Sequence, residues 1–361
     1  MGKRARLIVL ALAAWARIAT AADLPCSGDG TASRRVQPST LLSLGVGSDT
    51  SVRAGDAATT ARMAFFLARA SLCGKVPTKR GAVLYHLGYE PWNLRERARP
   101  DAPSWGRLFA AEIGFQPLSW LTLRAGIAKP SISFSHDEPE FSLALFSRSQ
   151  AALALYPDRR IGLAIDAPLG AISASVGVYL GSRDAPLLHF SDGVIATGRL
   201  RIDPIGPTGT ALSTGDDDPA WQSKFRFSVG GGGIYQYAHG AAGYAFSVNA
   251  NAKWKPVGVA LEYNNASHAI SDLDGGIHSA QEFSLATAVM ALRPYLECAA
   301  RYEWYNETEN SVAPAAKFHA VTFGLASYPF RHFLRAQVGY TLYLGSTKPA
   351  DVVRIAVTFS Q

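Results

Sequence analysis

Apolar and polar positions alternate along most of the chain. Residues 111–134 read AEIGFQPLSWLTLRAGIAKPSISF. Leu121, Leu123, Ala125 and Ile127 share one parity; Thr122, Arg124, Gly126 and Ala128 share the other. Just before them, Ala111, Ile113 and Phe115 alternate with Glu112 and Gly114. Period-two alternation marks strands with different surroundings on their two faces. A tight turn is predicted at Pro117-Leu118-Ser119, and Pro130, which cannot donate to a ladder, ends the second strand.

The same unit recurs to the end of the chain. Alternating segments lie near 40–48, 62–72, 81–90, 107–116, 120–128, 160–167, 172–180 and 194–203. Others lie near 222–236, 242–254, 257–264, 279–290, 293–306, 317–328, 333–344 and 352–360. Each is about the length that crosses a bilayer when tilted. The second, around ARMAFFLARA, fits a helix equally well. Short turns (Pro117-Leu118-Ser119, Pro168-Leu169-Gly170, Lys255-Pro256, Pro329-Phe330-Arg331) alternate with longer, polar connections. Short turns on one side and long loops on the other are the pattern of a membrane-spanning barrel. The connection at 204–220, with Asp216-Asp217-Asp218, breaks the alternation and reads as an inserted, mobile turn.

The N-terminus changes the setting. Lys3, Arg4 and Arg6 precede an apolar run, and Ala19-Thr20-Ala21 is a cleavage site, with Thr20-Ala21-Ala22 as the alternative. Residues 1–22 read as a secretory signal peptide, despite Arg17; a retained N-terminal helix is the competing reading. Residues 23–39 read as a flexible periplasmic leader and 40–361 as the barrel. No later run is long and apolar enough for a transmembrane helix. Yet 48% of residues are hydrophobic, 17% are charged and 33 are glycine, which leaves a soluble β protein or an outer-membrane barrel. Three cysteines make no disulfide framework. Cys26 and Cys73 form a disulfide if both sit on the periplasmic side, and Cys298 reads as a small apolar residue.

The last strand, VVRIAVTFSQ, puts Val353, Ile355, Val357 and Phe359 on one face, as expected of a closing strand addressed to the barrel-assembly machinery. Aromatics crowd the segment ends at Trp120, Trp254, Tyr263, Trp304 and Tyr328, which suits an interfacial girdle in outer-membrane lipid.

On these residues the chain resembles the phosphate-selective porin O and P family of Gram-negative outer membranes. RAGIAKPSISF (124–134) is similar to that family's Arg-x-Gly-x-x-Lys-x-Pro strand end, with Pro130 beside Lys129 and Ser131 at the family's Pro position. RRIGLAIDAPLGAISASVGVYLGS (159–182) resembles its strand-turn-strand, and GRLRIDPIG (198–206) its Gly-Arg-Leu segment. The resemblance covers 111–361 and implies a sixteen-stranded homotrimeric channel for inorganic or small organic anions, reached through the periplasm.

If the apolar face meets lipid, the opposite parity lines the lumen. It supplies Arg69, Arg124, Arg160, Arg199, Arg201, Lys224, Arg226, Lys253, Arg301, Arg335 and Arg354 against Glu112, Asp166, Glu262, Glu297 and Glu303. With a net charge of +7, this predicts anion selectivity. Arg199, Arg201 and Arg226 are expected to cluster. The opposing reading pairs each arginine with a lumen carboxylate, or places strand-end cations at lipid headgroups. The connection 129–159 is the third long loop; its apolar half must bury against something, and the barrel wall is the natural place. The resemblance implies that it narrows the pore, with Lys129, Arg148 and His136 facing Asp137, Glu138 and Glu140; an outward lid is the alternative.

Other chemistry is not indicated. The histidines show no metal-ligand spacing, no cofactor motif occurs, and nothing points to nucleic acid. Gly230 to Gly233 follow no strand-to-helix context for a phosphate loop and read as a close backbone approach. The sequence reads as a passive channel rather than an enzyme. A barrel enzyme of protease or lipase type would need a constellation around His86, His268 or His278. A sealed barrel would need a filled lumen, against which stand the small residues Ser173, Ser175, Gly177, Ala245 and Ser247.

Overall fold

A computed structural model describes residues 37–53, 56–93, 107–138, 143–145, 148–157, 159–180, 193–209, 211–212, 224–238, 241–270, 277–292, 295–311, 314–328, 334–347 and 352–360. Side chains of 37–71, 90–93, 107–109, 238, 241, 270, 334, 346–347 and 352–360 lie outside that description. The strands are β1 (Gln37–Arg53), β2 (Asp56–Thr78), β3 (Gly81–Asn93), β4 (Arg107–Leu118), β5 (Leu121–Ala128) and β6 (Arg160–Leu169). They continue as β7 (Ile172–Leu180), β8 (Val194–Ile202), β9 (Arg226–Ala238), β10 (Ala241–Trp254), β11 (Val257–Ile270) and β12 (Ile277–Leu292). The last are β13 (Leu296–Asn310), β14 (Lys317–Ser327), β15 (Leu334–Thr347) and β16 (Val352–Ser360). Each pairs with its sequence neighbours, and β16 returns to β1 with Leu41 opposite Ser360 and Ser48 opposite Val353. The result is a closed, antiparallel, sixteen-stranded barrel. Closure matters because an unpaired strand edge cannot be satisfied in lipid.

The alternation sorts the faces. Ile113, Phe115, Leu123, Leu163, Ile165, Val176 and Val178 point outward and are exposed. Their neighbours Thr122, Ala164 and Tyr179 point inward and are buried. The same holds around the wall to Phe323, Leu325, Val338 and Tyr340, so the barrel presents an apolar exterior. Trp120, Trp254 and Tyr295 stand exposed at the short-turn end. Cys298 carries a free thiol on the outward row of β13, and Cys73 is disulfide-bonded. Cys26 lies outside the described residues, as do the signal-peptide cleavage site and Glu140.

Several expectations are corrected. β1 begins at Gln37, inside the expected leader, because Gln37 to Ser39 pair with Ser71 to Cys73 of β2. The ambiguous second segment is strand throughout; pairing with β1 and β3 outweighs its helical composition. The short turns shift by about two residues, to Ser119-Trp120 and Gly170-Ala171, because Leu118 pairs with Leu121 and Leu169 with Ile172. Tyr328 is no girdle residue: its hydroxyl donates to Glu297 and its ring lies 5.3 Å from the Arg335 guanidinium.

Candidate functional site

The described residues of the loop 129–159 leave β5 and fold into the lumen, so the outward lid is excluded. Two short helices shape it, α1 (Phe134–Asp137) and α2 (Gln150–Ala154). Each is capped by a serine: Ser133 Oγ accepts from His136 N, and Ser149 Oγ from Ala152 N. Its apolar residues Ile132, Ala151, Ala152, Leu155 and Tyr156 form one buried cluster with wall residues Ala164, Tyr179, Ile195, Ile234, Ala245, Tyr305 and Phe318. The hydrophobic core of this protein is therefore inside the barrel, between loop and wall.

Three carboxylates on neighbouring strands hold the loop backbone. Glu262 of β11 accepts from Ser135 N at 2.9 Å and Ser135 Oγ at 2.5 Å. Glu282 of β12 accepts from Ala151 N, and Glu303 of β13 from Gln150 N at 2.8 Å. Asn264 accepts the Tyr156 hydroxyl at 2.6 Å and donates to Glu262 and Glu282. Burial, with Glu262 and Glu282 nearby, pushes the Tyr156 phenol well above its ordinary range and keeps it a donor. Opposite, Arg335 and Gln337 of β15 donate to the Leu143 carbonyl, and Arg301 to that of Arg148 at 3.0 Å. Two glycines make the seat. A Cβ on Gly232 would run into the Ile132 carbonyl, and one on Gly324 would meet Leu145 at 3.0 Å. The expected close approach at the glycine run is thus the docking point of the loop.

The expected lumen cations are placed as follows. Arg124 faces inward with a forked pair to Asp166 and a bond to Glu112 at 3.0 Å. Arg199 pairs with Asp137 of the loop, as expected if lumen arginines pair with carboxylates, and donates to Ser131 Oγ at 3.2 Å. Arg301 pairs with Glu303 at 2.9 Å. Lys129 donates to the His136 carbonyl and Arg148 to that of Glu138. Arg160 and Lys253 are buried on inward rows. Lys224 is exposed at the foot of β9. Arg354 sits in register with Gly47 and Gly339, its side chain outside the description, as is that of Arg69. His136, expected at the constriction, is buried with Nε2 3.0 Å from the Pro157 carbonyl. The groups that keep partial exposure in the lumen include Arg124, Glu112, Asp166 and Ser175, on β4–β7.

Arg199, Arg201 and Arg226 do come together, on adjacent strands, around two inward segments rather than around open water. The connection after β8, expected as a mobile turn, is fixed over residues 203–209 and 211–212. Arg201 binds Asp203 at 2.7 Å, the Gly209 carbonyl and Thr208 Oγ1. Arg226 binds the Pro207 carbonyl. Thr208 and Leu212 are buried. The small lumen residues are also reassigned: Ala245 and Ser247 are buried at 1% exposure each, and Tyr179 occupies the space beside Gly177. Small side chains here leave room for the loop and a ring, not for water. The sequence reading missed Glu282, Leu212 and Thr208. Glu282 was available from the alternation with Ser284; the other two sit in an irregular segment with no periodic signal.

No family model matches the chain, and no curated protein sequence does. Solved structures are similar in fold. OmpF of Salmonella typhi, in complex with daunomycin, superposes with a TM-score of 0.64 at 11% identity, covering 94% of this chain and 100% of that one. A loop L8 deletion mutant of OmpT, an outer membrane protein of Vibrio cholerae, gives 0.63 at 11% identity, covering 91% and 99%. A triple mutant of the Rhodopseudomonas blastica porin gives 0.57 at 12% identity, covering 91% and 100%. The fold is that of Gram-negative outer-membrane porins.

Proposed function

We propose that this chain is an outer-membrane porin that lets small hydrophilic solutes diffuse passively, with a preference for anions. One observation carries the reading: a closed barrel, apolar outside, whose polar lumen is narrowed by a long loop folded inward and bonded to the wall. That architecture excludes bulky solutes and leaves selection to the charges along the remaining path. The anion preference follows from the inward Arg124, Arg160, Arg199 and Arg201. Because Arg124, Arg199, Arg201 and Arg301 each sit against a carboxylate, we favour a diffuse positive field over a dedicated phosphate pocket. Inorganic phosphate is then one permeant among several small anions. The assembly proposed is a homotrimer.

Planar-bilayer recording tests this. Under a KCl gradient the reversal potential should report anion preference, and millimolar phosphate should carry current without blocking it. Phosphate block would instead favour the dedicated pocket. Cation selectivity would overturn the assignment of the lumen charges, and absence of current would overturn the channel.

A further inference from the structure

Near the top of its lipid-facing wall the barrel carries two basic side chains. On β14, Phe318 and Ala320 are buried toward the lumen, so Lys317 and His319 belong to the outward row, and both are exposed. Register sets Asn306 of β13 opposite Lys317 and Trp304 opposite His319. On the described outward rows of β2–β15, no other lysine, arginine or histidine lies between the short turns and the level of Lys317. β14 runs 11 residues from Lys317 down to Ser327 at the short-turn end. At the usual strand tilt that is a rise of about 25 Å, the height of the apolar band on such a barrel. The two residues therefore stand where acyl chains give way to head groups, on the side of the long connections. A cation is tolerated at that level and not lower on the lipid face.

His319 is held in place. The Tyr302 hydroxyl lies 2.7 Å from His319 Nδ1, and the two rings are 6.0 Å apart. With Nδ1 engaged, Nε2 is the nitrogen left to meet a ligand. Gln281 of β12 lies opposite Asn306, so a row of amides leads to Lys317. Higher on β13, the one carboxylate in this neighbourhood among the described residues, Glu309, is engaged by His268 at 3.2 Å and by Ser279 Oγ at 2.8 Å. An ammonium, an imidazole and an amide side by side are donors, and the group that suits them is a phosphate. Below His319 the same outward row continues through Val321 to Phe323 and Leu325, which are 55% and 47% exposed. Donors above an apolar track match the two halves of a lipid.

We propose that Lys317, His319 and Asn306 hold the phosphate of a lipid head group in the leaflet on the long-connection side, with an acyl chain laid along Val321, Phe323 and Leu325. The proposal rests on the orientation of the barrel in the membrane and is independent of its conductance. Lys317 supplies the charge. Asn306 Nδ2 and His319 Nε2 supply directed donors, and Tyr302 positions the imidazole. Charge complementarity selects a phosphorylated lipid over a neutral one. The apolar track selects a lipid over free phosphate, because the chain leaves water only when it lies on the wall.

Lipid A, a bis-phosphorylated glycolipid, is the probe. Its retention by the folded full chain in neutral detergent micelles tests the proposal, with heat-modifiable gel mobility confirming the barrel. The wild type should retain it, and millimolar inorganic phosphate should not displace it. Lys317→Gln should weaken retention about tenfold, the loss of one hydrogen bond to a charged group, and His319→Phe severalfold. Tyr302→Phe should weaken it as His319→Phe does and add nothing in the His319→Phe background, which a merely structural role would not produce. Lys255→Gln, at an exposed short turn on the other side, should change nothing. Retention that survives Lys317→Gln with His319→Phe overturns the site. So does equal retention of a dephosphorylated glycolipid, or an equal loss in Lys255→Gln. Displacement by inorganic phosphate overturns the lipid and assigns a free anion. Each of these results leaves the channel reading intact, since the bilayer recordings test that separately.

Discussion

Gly232 shows how one missing side chain decides the shape of the lumen. A Cβ there would collide with the Ile132 carbonyl of the loop and meet the Gly198 carbonyl at 2.8 Å. Gly232→Ala should destabilise the folded barrel by about 1–3 kcal/mol, the usual cost of overpacking a tight site. It should also unseat the loop, read as raised conductance and faster protease cleavage within 129–159. Arg124 decides charge rather than shape. Its fork to Asp166 and its bond to Glu112 bring two carboxylates together around one cation in the part of the lumen that stays partly exposed. Arg124→Gln leaves both acids without it, so the reversal potential in a KCl gradient should move toward the cation side while gel mobility stays that of a folded barrel. The parity of Arg124 was legible in the sequence. Its partners were not, because Asp166 reaches it across the β5–β6 pairing, 42 residues along the chain.

At the scale of elements, the constriction loop is the half of the core that the strands lack. It contributes Ile132, Ala151, Ala152, Ala154, Leu155 and Tyr156 to a cluster whose other buried members are wall residues from β5 to β14. Replacing 131–157 by a short Gly/Ser linker should still give a closed barrel, since strand pairing is independent of it. Conductance should rise several-fold, on the reasoning that the narrowest section sets the resistance. Unchanged conductance would place the constriction elsewhere. That this loop must bury an apolar half was plain from composition. The segment after β8 was misjudged for a physical reason: Gly, Pro and Thr spell a turn locally, while what pins it, the Arg201 fork and Ser228, comes from strands that follow or precede it.

For the whole molecule, the two faces of the wall obey different solvents. Leu163 is 66% exposed on the outside and its neighbour Asp166 lies inside. Leu163→Arg should cost roughly 2–4 kcal/mol of folding free energy in lipid, the penalty for a cation on the lipid face near mid-bilayer. Ser175→Arg, on the lumen side, should leave stability nearly unchanged and alter selectivity instead. Urea-dependent unfolding in vesicles separates the two outcomes.

The sequence alone determined the strands, their number and the face each residue takes, and it marked the long loop whose apolar half must be buried. These depend on local alternation and on one solvent rule, apolar to lipid, which every strand satisfies independently. Only the tertiary structure decided that the arginines would be spent on carbonyls and carboxylates, and that Ala245 and Ser247 would be covered while Ser175 stays partly exposed. It also decided that a second segment would enter from the short-turn end. Those outcomes depend on which rows come into register when sixteen strands close, and register between distant strands leaves no trace in the pattern of any one of them.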